Sequence, residues 1–492
     1  MRLIAVVLAL VCHACTGHAK PMNTLVIIAD DLGWADIGAN NPNCFYDTPA
    51  LDRFAATGAN FSHAYAASPV CSPTRASIMT GIDPSRGYMT EWFGQGVARS
   101  ERFLSADRAN SLPNHSVTIA ERLREAGYQT FFAGKWHLGG AERHRPEYQG
   151  FDINIAGGRQ GNPGLDGYFA PYRPFIGLDA PEGEHLPARL TDETIAYIEG
   201  RDPARPFLAV LSYYSVHTPL QGRDDLVTKY RARRAELGYA PDDITGDEEQ
   251  VWPDRGATRA VRVVQDHAVY AAMVEAMDEQ IGRLIDTIDR LGLAEDTLIM
   301  FVSDNGGLST AEGSPTSNRP LRGGKGWLYE GGIRVPMMAR WPGVLGAGET
   351  LAVPVHTNDI APSICDAAGL EVLESDGVSL RRAVRETAPV RETAPARALC
   401  FHYPHYSNQG GFPGGAVIEW PWKLIQRYED GRVHLYNIED DISEERDLAA
   451  TDEARVDAMT ATLHAWLRSQ NARFLSARPG QPEPWTPDSA GR

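Results

Sequence analysis

Short runs of consecutive apolar residues recur along the chain, and each ends in glycine or polar residues. Four of these runs predict β-strands, at residues 25–29, 128–133, 207–211 and 298–302. Apart from Gln129 and Thr130, they are apolar throughout instead of alternating with polar residues, a pattern typical of strands buried on both faces of a parallel sheet.

Segments with helical periodicity lie between these runs, at residues 116–126 and 270–291. The second segment places apolar side chains at helical spacing: Met273, Met277, Ile281, Leu284, Ile285 and Ile288. This spacing indicates a helix packed on a core. The alternation of strands and helices predicts an α/β sandwich.

The length of the chain predicts more than one domain. A single core rarely grows beyond about 250–300 residues, and the chain has 492. The sequence Arg-Glu-Thr-Ala-Pro occurs twice within residues 384–397, which predicts a surface loop near a domain boundary. Beyond it, short strands and a closing helix are predicted at residues 416–426, 432–436 and 454–467. We therefore expect a large domain over residues 20–385 and a smaller α+β domain over 396–492.

The first 19 residues have the composition of a signal peptide. Arg2 precedes an apolar stretch, and Gly17-His18-Ala19 fits a cleavage site between small residues. A buried first strand is the alternative, but residues 25–29 fit a strand better. No later run is long and apolar enough for a membrane span. We expect a secreted or periplasmic protein.

Composition narrows the classes of partner. Hydrophobic residues make up 43% and charged residues 23%, as in ordinary globular proteins. The net charge of −17 argues against a nucleic acid partner, but it does not exclude an anionic substrate. Four cysteines follow the predicted signal peptide, too few for a disulfide scaffold: Cys44, Cys71, Cys365 and Cys400.

Lysine is rare in this chain. Only five of the 47 basic residues are lysines: Lys20, Lys135, Lys229, Lys325 and Lys423. A general drift towards arginine explains the ratio, but positions that keep lysine are candidates for sites that need a compact ammonium group. Lys135 and Lys325 lie in glycine-rich segments and predict an anion site.

Polar residues follow each of the four predicted strands. Asp30 and Asp31 follow the first strand and Asp304-Asn305 follows the fourth, while Lys135, His137 and His217 follow the other two. Ligands of open α/β sheets gather at the carboxyl ends of the strands. We expect these side chains to meet at one edge. For Asp30 and Asp31, an ordinary turn at a strand end is the alternative.

The segment Cys71-Ser72-Pro73-Thr74-Arg75, followed by Thr80-Gly81, resembles the signature of the type I sulfatase family, in the alkaline-phosphatase-like superfamily. The resemblance extends over nearly the whole mature chain. Further segments that carry it are Gly134-Lys135-Trp136-His137-Leu138-Gly139, His217-Thr218-Pro219, Ser303-Asp304-Asn305-Gly306-Gly307, Leu321-Arg322-Gly323-Gly324-Lys325-Gly326, Asn358-Asp359-Ile360-Ala361-Pro362 and Leu435-Tyr436-Asn437. It implies a large mixed sheet sandwiched by helices, with a smaller C-terminal α+β domain.

The resemblance implies that a separate formylglycine-generating enzyme oxidises Cys71 to formylglycine. A cysteine sulfate adduct would have no internal route to release. The hydrated aldehyde has two hydroxyl groups: one attacks sulfur, and the other collapses to expel sulfate. For Cys71, a buried apolar thiol is the alternative.

The resemblance also implies roles for the surrounding residues. Asp30, Asp31, Asp304 and Asn305, with the oxygens of modified Cys71, would bind one divalent cation, and oxygen ligands favour Ca²⁺ over zinc. The implied catalytic roles are sulfate binding by Lys135 and Lys325, stabilisation of the nucleophile by Arg75, base catalysis by His137 and acid catalysis by His217.

The resulting prediction is a sulfuric ester hydrolase of the arylsulfatase type that acts on a carbohydrate or polysaccharide. A phosphate or phosphonate ester hydrolase of the same superfamily is the alternative, and a non-catalytic binding protein is a third hypothesis. Candidates for an outer substrate pocket are Trp92, Arg159, His185, Arg319, Arg322, His402 and His405, with a structural role favoured for Arg322.

Overall fold

The structure is a computed structural model. It describes residues 21–94, 103–113, 115–165, 167–173, 175, 178–240, 243–251, 259–371, 374–386 and 397–489. The predicted signal peptide and most of the direct repeat lie outside the described residues.

The strands of the described residues are, in chain order, β1 (Asn23–Ala29), β2 (Ala59–Phe61), β3 (Ala64–Tyr65), β4 (Phe103–Leu104), β5 (Gln129–Gly134), β6 (Ile153–Ile155), β7 (Phe207–Ser212), β8 (Thr245–Asp247), β9 (Ala260–Arg262), β10 (Thr297–Ser303), β11 (Met337–Arg340), β12 (Glu349–Leu351), β13 (Val355–His356), β14 (Leu399–Tyr403), β15 (Gly414–Glu419), β16 (Trp422–Arg427), β17 (Val433–Asn437) and β18 (Ser476–Ala477). The α-helices are α1 (Pro49–Thr57), α2 (Cys71–Thr80), α3 (Pro84–Gly87), α4 (Ile119–Glu125), α5 (Leu186–Gly200), α6 (Asp224–Leu237), α7 (Ala268–Arg290), α8 (Glu330–Ile333), α9 (Ile360–Ala367), α10 (Leu380–Glu386) and α11 (Glu453–Ser469).

The central sheet has eight strands in the order β12-β2-β11-β10-β1-β7-β5-β6. The four strands predicted from the sequence are β1, β5, β7 and β10, which are neighbours and run parallel. Strand β11 is antiparallel to β10, so the sheet is mixed, as the resemblance implied. Because β1, β5, β7 and β10 are parallel and in register, their carboxyl ends meet at one edge.

Helices cover both faces of the sheet. Alternate residues of β1 point into two cores: Leu25 and Ile27 pack with α5 to α7, and Val26 and Ile28 pack with α2, α4 and α9. Helix α7 confirms the helix predicted at residues 270–291, and its apolar stripe is buried. Each fully buried Leu or Ile side chain contributes about 1.5–3 kcal/mol relative to exposure. No helix among the described residues combines the length and apolar character that a membrane crossing needs.

The C-terminal part has an antiparallel sheet in the order β14-β15-β16-β17, with α11 packed against it. The prediction of one strand over residues 416–426 was wrong, because Trp420 and Pro421 form a turn between β15 and β16. Strand β14 was not predicted. Lys423 of β16 is fully buried and joins this sheet to α8, with ion pairs of 3.0 Å to Glu330 and 2.9 Å to Glu444.

His402, a candidate for the substrate pocket, is instead buried in the C-terminal part. Its Nε2 donates to the carbonyl oxygen of Arg473 (2.9 Å), and its Nδ1 accepts from the hydroxyl group of Tyr428 (2.7 Å). The neutral ring therefore satisfies both partners, and burial lowers the pKa of His402 to about 4.

We expect His402 to make unfolding depend on pH between its unfolded and folded pKa values, about 6.5 and about 4. In that window the unfolded chain binds a proton that the folded chain does not, so stability falls as the pH falls. From pH 7 to 4.5 the loss from this one group is about 2 kcal/mol. Urea unfolding of wild type and His402→Gln at both pH values measures it; an equal loss in both proteins would contradict the assignment.

Candidate active site

Asp30 and Asp31 follow β1 directly and are buried. The backbone of Asp30 continues the sheet, since its N–H donates to Ser215 (2.9 Å) and its carbonyl accepts from Val216 (2.6 Å). This pairing brings the segment that carries His217 next to Asp31. Asp31 has a φ of 62°, a strained conformation that turns the chain out of the strand at this point.

Cys71 is the first residue of α2 and is buried. The residue that precedes the helix, Val70, has no side chain that could cap it, so backbone N–H groups of the first turn remain available beside Cys71. The Sγ atom lies 3.8 Å from Oδ1 of Asp30. Helix α2 was not predicted from the sequence, because Ser72, Pro73 and Thr74 are also common in turns and few apolar residues recur here at helical spacing.

Arg75 lies one turn along α2 and is buried beneath the carboxylates. Its Nε donates to Oδ2 of Asp304 (2.8 Å), and Nη2 lies 3.7 Å from Oδ1 of Asp30. Its Nη1 donates to the Ser212 hydroxyl (2.6 Å) and the Lys135 carbonyl (2.8 Å). One guanidinium group therefore links the ends of β1, β5, β7 and β10.

Two lysines face the two aspartates. Nζ of Lys135 is 2.6 Å from Oδ2 of Asp30, and Nζ of Lys325 is 2.8 Å from the carboxylate of Asp31. Lys135 follows Gly134, where a side chain cannot fit because a Cβ atom would lie 1.9 Å from the carbonyl oxygen of Ser212. The close approach of β5 and β7 at Gly134 therefore places Lys135 at the edge.

His137 is buried, and the backbone carbonyl of Phe93 holds its ring in one orientation. Its Nε2 is 3.1 Å from the carbonyl oxygen of Phe93, an acceptor, so Nε2 carries the hydrogen and Nδ1 has the free lone pair. Nδ1 lies 3.3 Å from the hydroxyl oxygen of Ser72. That hydroxyl accepts from the N–H of Phe93 (2.9 Å) and donates to the carbonyl of His137 (2.8 Å). The neighbour of Cys71 and the histidine are thus fixed together.

His217 and Asn305 approach Asp31 from two other strands. Nδ1 of His217 donates to the carbonyl of Thr218 (2.7 Å), and Nε2 lies 3.8 Å from Oδ2 of Asp31. Nδ2 of Asn305 donates to Oδ1 of Asp31 (2.8 Å). Oδ1 of Asp304 accepts from the N–H of Asp31 (3.2 Å).

Burial dominates the protonation of this site. It raises the pKa of the Cys71 thiol to about 12 despite Lys135 and Lys325, so the unmodified thiol stays protonated at neutral pH. Burial, followed by Lys135, holds the pKa of His137 well below its usual value. Burial, followed by Lys325, lowers the pKa of His217 to about 4.

Asp30, Asp31, Cys71 and His217 offer ligand atoms that all lie within 4.8 Å of one another. Asn305 adds a buried Oδ1 with no hydrogen-bond partner among the described residues. Carboxylate and amide oxygens suit a hard cation such as Ca²⁺. Asp30, Asp31, Cys71 and Asn305, four of the five ligands that the resemblance implied, therefore fit a divalent cation. Asp304, the fifth, is joined to them through Asp31 and Arg75.

The outer-pocket candidates do not form one group. Trp92 lies beside the site, with its ring centroid 6.4 Å from that of His137. Arg322 binds Glu248, and its guanidinium lies 4.0 Å from the ring centroid of Tyr329, which fits the structural role favoured for it. The ring of His185 stacks on that of Phe169 before α5 begins. Arg159 is exposed, and Arg319 lines a cavity of about 1270 Å³. His405 is buried, and its Nε2 lies 2.8 Å from the hydroxyl oxygen of Thr90.

Fold and site together define a hydrolase of anionic esters with an alkaline-phosphatase-like fold. A model of the family described as Sulfatase matches residues 22–370, and a model described as N-sulphoglucosamine sulphohydrolase, C-terminal, matches residues 324–473. The chain therefore belongs to the sulfatase family and is a sulfuric ester hydrolase.

Individual relatives agree with this assignment. A sulfatase of Formosa agariphila is 29% identical, over 92% of this chain and 90% of the relative. Human steryl-sulfatase is 30% identical, over 72% of this chain and 68% of the relative. The crystal structure of Ps i-CgsB in complex with k-i-k-neocarrahexaose superposes with a TM-score of 0.69 at 28% identity, covering 91% of this chain and 93% of that chain.

Proposed function

We propose that this enzyme hydrolyses sulfate monoesters of a carbohydrate or polysaccharide, with formylglycine made from Cys71 as its nucleophile and one Ca²⁺ ion at the aspartates. The observation that carries the proposal is the position of Cys71, buried at the start of α2 among Asp30, Lys135 and Lys325. With a pKa of about 12, its thiol is a poor nucleophile at neutral pH. A chemical change at Cys71 would supply the missing reactivity.

The cations around Cys71 would bind and orient the sulfate group. Lys135 and Lys325 are buried, so their charges act in a medium of low dielectric constant, where they stabilise anionic oxygens more strongly than in water. The guanidinium of Arg75 is fixed by Asp304, Ser212 and the backbone, and it would hold residue 71 in position. A bound Ca²⁺ would polarise a sulfate oxygen and increase the acidity of the nucleophilic hydroxyl.

The two histidines would move protons at different groups, one at residue 71 and one at the leaving alcohol. His137 is neutral with Nδ1 unprotonated, which suits the base that takes a proton from the second hydroxyl. His217 would protonate the leaving alcohol through Nε2. Its pKa is low in the free chain, but an anionic ester beside it favours the protonated form.

The choice of a carbohydrate rests on the relatives and on the predicted export. Ps i-CgsB, which covers most of this chain, binds an oligosaccharide. A signal peptide over residues 1–19 would place the enzyme outside the cytoplasm as a secreted or periplasmic protein, where sulfated polysaccharides occur. We also propose a catalytic domain over residues 20–385, a C-terminal subdomain over 396–492 and maturation by a formylglycine-generating enzyme.

Released sulfate from a panel of sulfated oligosaccharides tests the substrate class. Sulfate and phosphate monoesters of one aryl alcohol, compared in parallel, separate a sulfatase from a phosphatase or phosphonate hydrolase. We expect kcat/KM to be higher for the sulfate ester. A higher value for the phosphate ester would contradict the proposal and support the alternative.

Calcium binding has a readout that does not depend on turnover. At calcium concentrations of about 100 times Kd, the free energy of unfolding should rise by about 2.7 kcal/mol, and a chelator should reverse the change and depress activity. Asp31→Asn should remove this response, and Asp286→Asn, at an exposed ion pair with Arg53, should keep it. An unchanged melting temperature with and without calcium in the wild type would exclude the ion.

A further inference from the structure

Glu312 lies in the loop that follows β10 and has an unusual backbone. Its φ is 53°, and the next two residues, Gly313 and Ser314, also have positive φ values of 89° and 44°. A left-handed backbone at two non-glycine residues costs free energy, so contacts elsewhere must stabilise this conformation of the loop. This turn directs the Glu312 carboxylate back towards the loop that follows β7.

Two side chains from different parts of the fold hold that carboxylate. Oε2 accepts from the Thr218 hydroxyl (3.0 Å), and Oε1 accepts from Nε2 of Gln409 (2.8 Å). Gln409 is itself fixed, because its Oε1 accepts from the Ser407 hydroxyl (2.7 Å) and its carbonyl accepts from Trp327 (3.2 Å). A carboxylate has about four acceptor positions, and these contacts use two. Glu312 is an exposed residue, so further positions are open to a ligand.

The carboxylate is next to the side of the site where the alcohol would leave. Thr218 follows His217, and the Thr218 carbonyl accepts the hydrogen bond of the His217 ring. Partial desolvation of the carboxyl group by its neighbours raises the pKa of Glu312 although the residue as a whole is exposed, but Lys325 and His217 outweigh this and leave the pKa below its usual value. Glu312 is therefore a fixed negative charge at the rim, close to both groups.

We propose that Glu312 is a specificity-determining residue that accepts a hydrogen bond from a neutral hydroxyl group of the substrate next to the sulfate ester and disfavours a second anionic group at that position. This inference rests on the proposed function, because it assumes that His217 protonates the leaving alcohol. The substrate hydroxyl would donate to the lone pairs of the Glu312 carboxylate that Thr218 and Gln409 do not use. A second sulfate or a carboxylate there would meet like charge at short range.

Glu312→Gln isolates the charge. The amide oxygen still accepts from Gln409, and the amide nitrogen can donate to the Thr218 hydroxyl, which reverses its role. Glu295→Gln is the matched control, since Glu295 is exposed just before the amino end of β10, at the opposite edge of the sheet.

The probes are para-nitrophenyl sulfate and its two analogues with a hydroxyl or a carboxylate group ortho to the ester. For each enzyme, kcat/KM of each analogue is divided by that of the unsubstituted ester. We expect Glu312→Gln to raise the carboxylate ratio by about tenfold, the effect of one unit charge at a partly exposed site, and to lower the hydroxyl ratio. Glu295→Gln should leave both ratios as in wild type.

Different outcomes would contradict the role of Glu312 and the proposed function. Unchanged ratios in Glu312→Gln, or an equal loss with all three esters, would overturn the role of Glu312 while leaving the sulfatase assignment in place. If the wild type releases sulfate from none of the esters or oligosaccharides, the proposed function itself fails.

Discussion

Cys71→Ala is expected to lower sulfate release by on the order of 10³-fold or more, because a methyl group cannot be oxidised to the aldehyde and no other nucleophile is at this position. Folding should persist. The side chain that is removed is small, and the loss of its buried contacts costs about 1 kcal/mol. Activity, circular dichroism and thermal unfolding, measured on the same preparation, separate the two effects.

The matched control is Cys44→Ala, at a partly buried cysteine that lines the cavity of about 1270 Å³ and not the aspartate cluster. It should keep wild-type kcat and KM. A Cys71→Ala enzyme that is folded and fully active would refute the proposed mechanism, whatever its substrate.

Arg75→Ala is expected to lower the free energy of unfolding by about 3–5 kcal/mol, because it leaves buried carboxylates without their partner. Asp304 would lose a hydrogen bond of 2.8 Å, and the Ser212 hydroxyl and the Lys135 carbonyl would lose theirs. Arg75→Lys keeps the charge but not the planar fork, so we expect it to recover only part of the loss. Urea unfolding in the presence of a chelator measures the effect without a contribution from a bound ion.

Arg86→Ala provides the comparison. Arg86 also pairs with an aspartate, Asp376 at 3.0 Å, but its side chain is 33% exposed. A surface ion pair of this kind contributes about 0–1 kcal/mol. If Arg75→Ala costs no more than Arg86→Ala, the buried network does not hold the strand ends together as the structure indicates.

The strands, and the residues that follow them, could be predicted from the sequence because a short apolar run that ends in glycine or polar residues is typical of a strand buried on both faces. Asp30, Lys135 and Asp304 meet because β10, β1, β7 and β5 lie side by side and run parallel, which follows from the fold class. Helix α2 could not be predicted, since few apolar residues recur in it at helical spacing and tertiary contacts stabilise it.

Contacts through the backbone were also missed. The carbonyl of Phe93 fixes His137, and any residue type could supply it, so the sequence has no signal for it. Glu312 was missed because its loop has no periodicity, and its role depends on Thr218 and Gln409, which are distant in sequence.

The rarity of lysine was informative, but it did not point to one function. Lys135 and Lys325 contact the carboxylates of Asp30 and Asp31. Lys423 is equally buried yet lies between two glutamates that join the C-terminal sheet to α8, and Lys229 pairs at the surface with Asp47 and Glu275. A lysine in this chain therefore does not by itself indicate an anion site, and the two lysines beside the aspartates are those in glycine-rich segments.

The central claim is that Cys71 is converted to formylglycine. The most direct test is mass spectrometry of the tryptic peptide of residues 54–75 from active enzyme, produced with a formylglycine-generating enzyme and reacted with an aldehyde-specific hydrazide. We predict the mass of an aldehyde at position 71 and a hydrazone adduct, while the peptide that contains Cys44 keeps its thiol. Fully active enzyme with an unmodified thiol at Cys71 would contradict the claim.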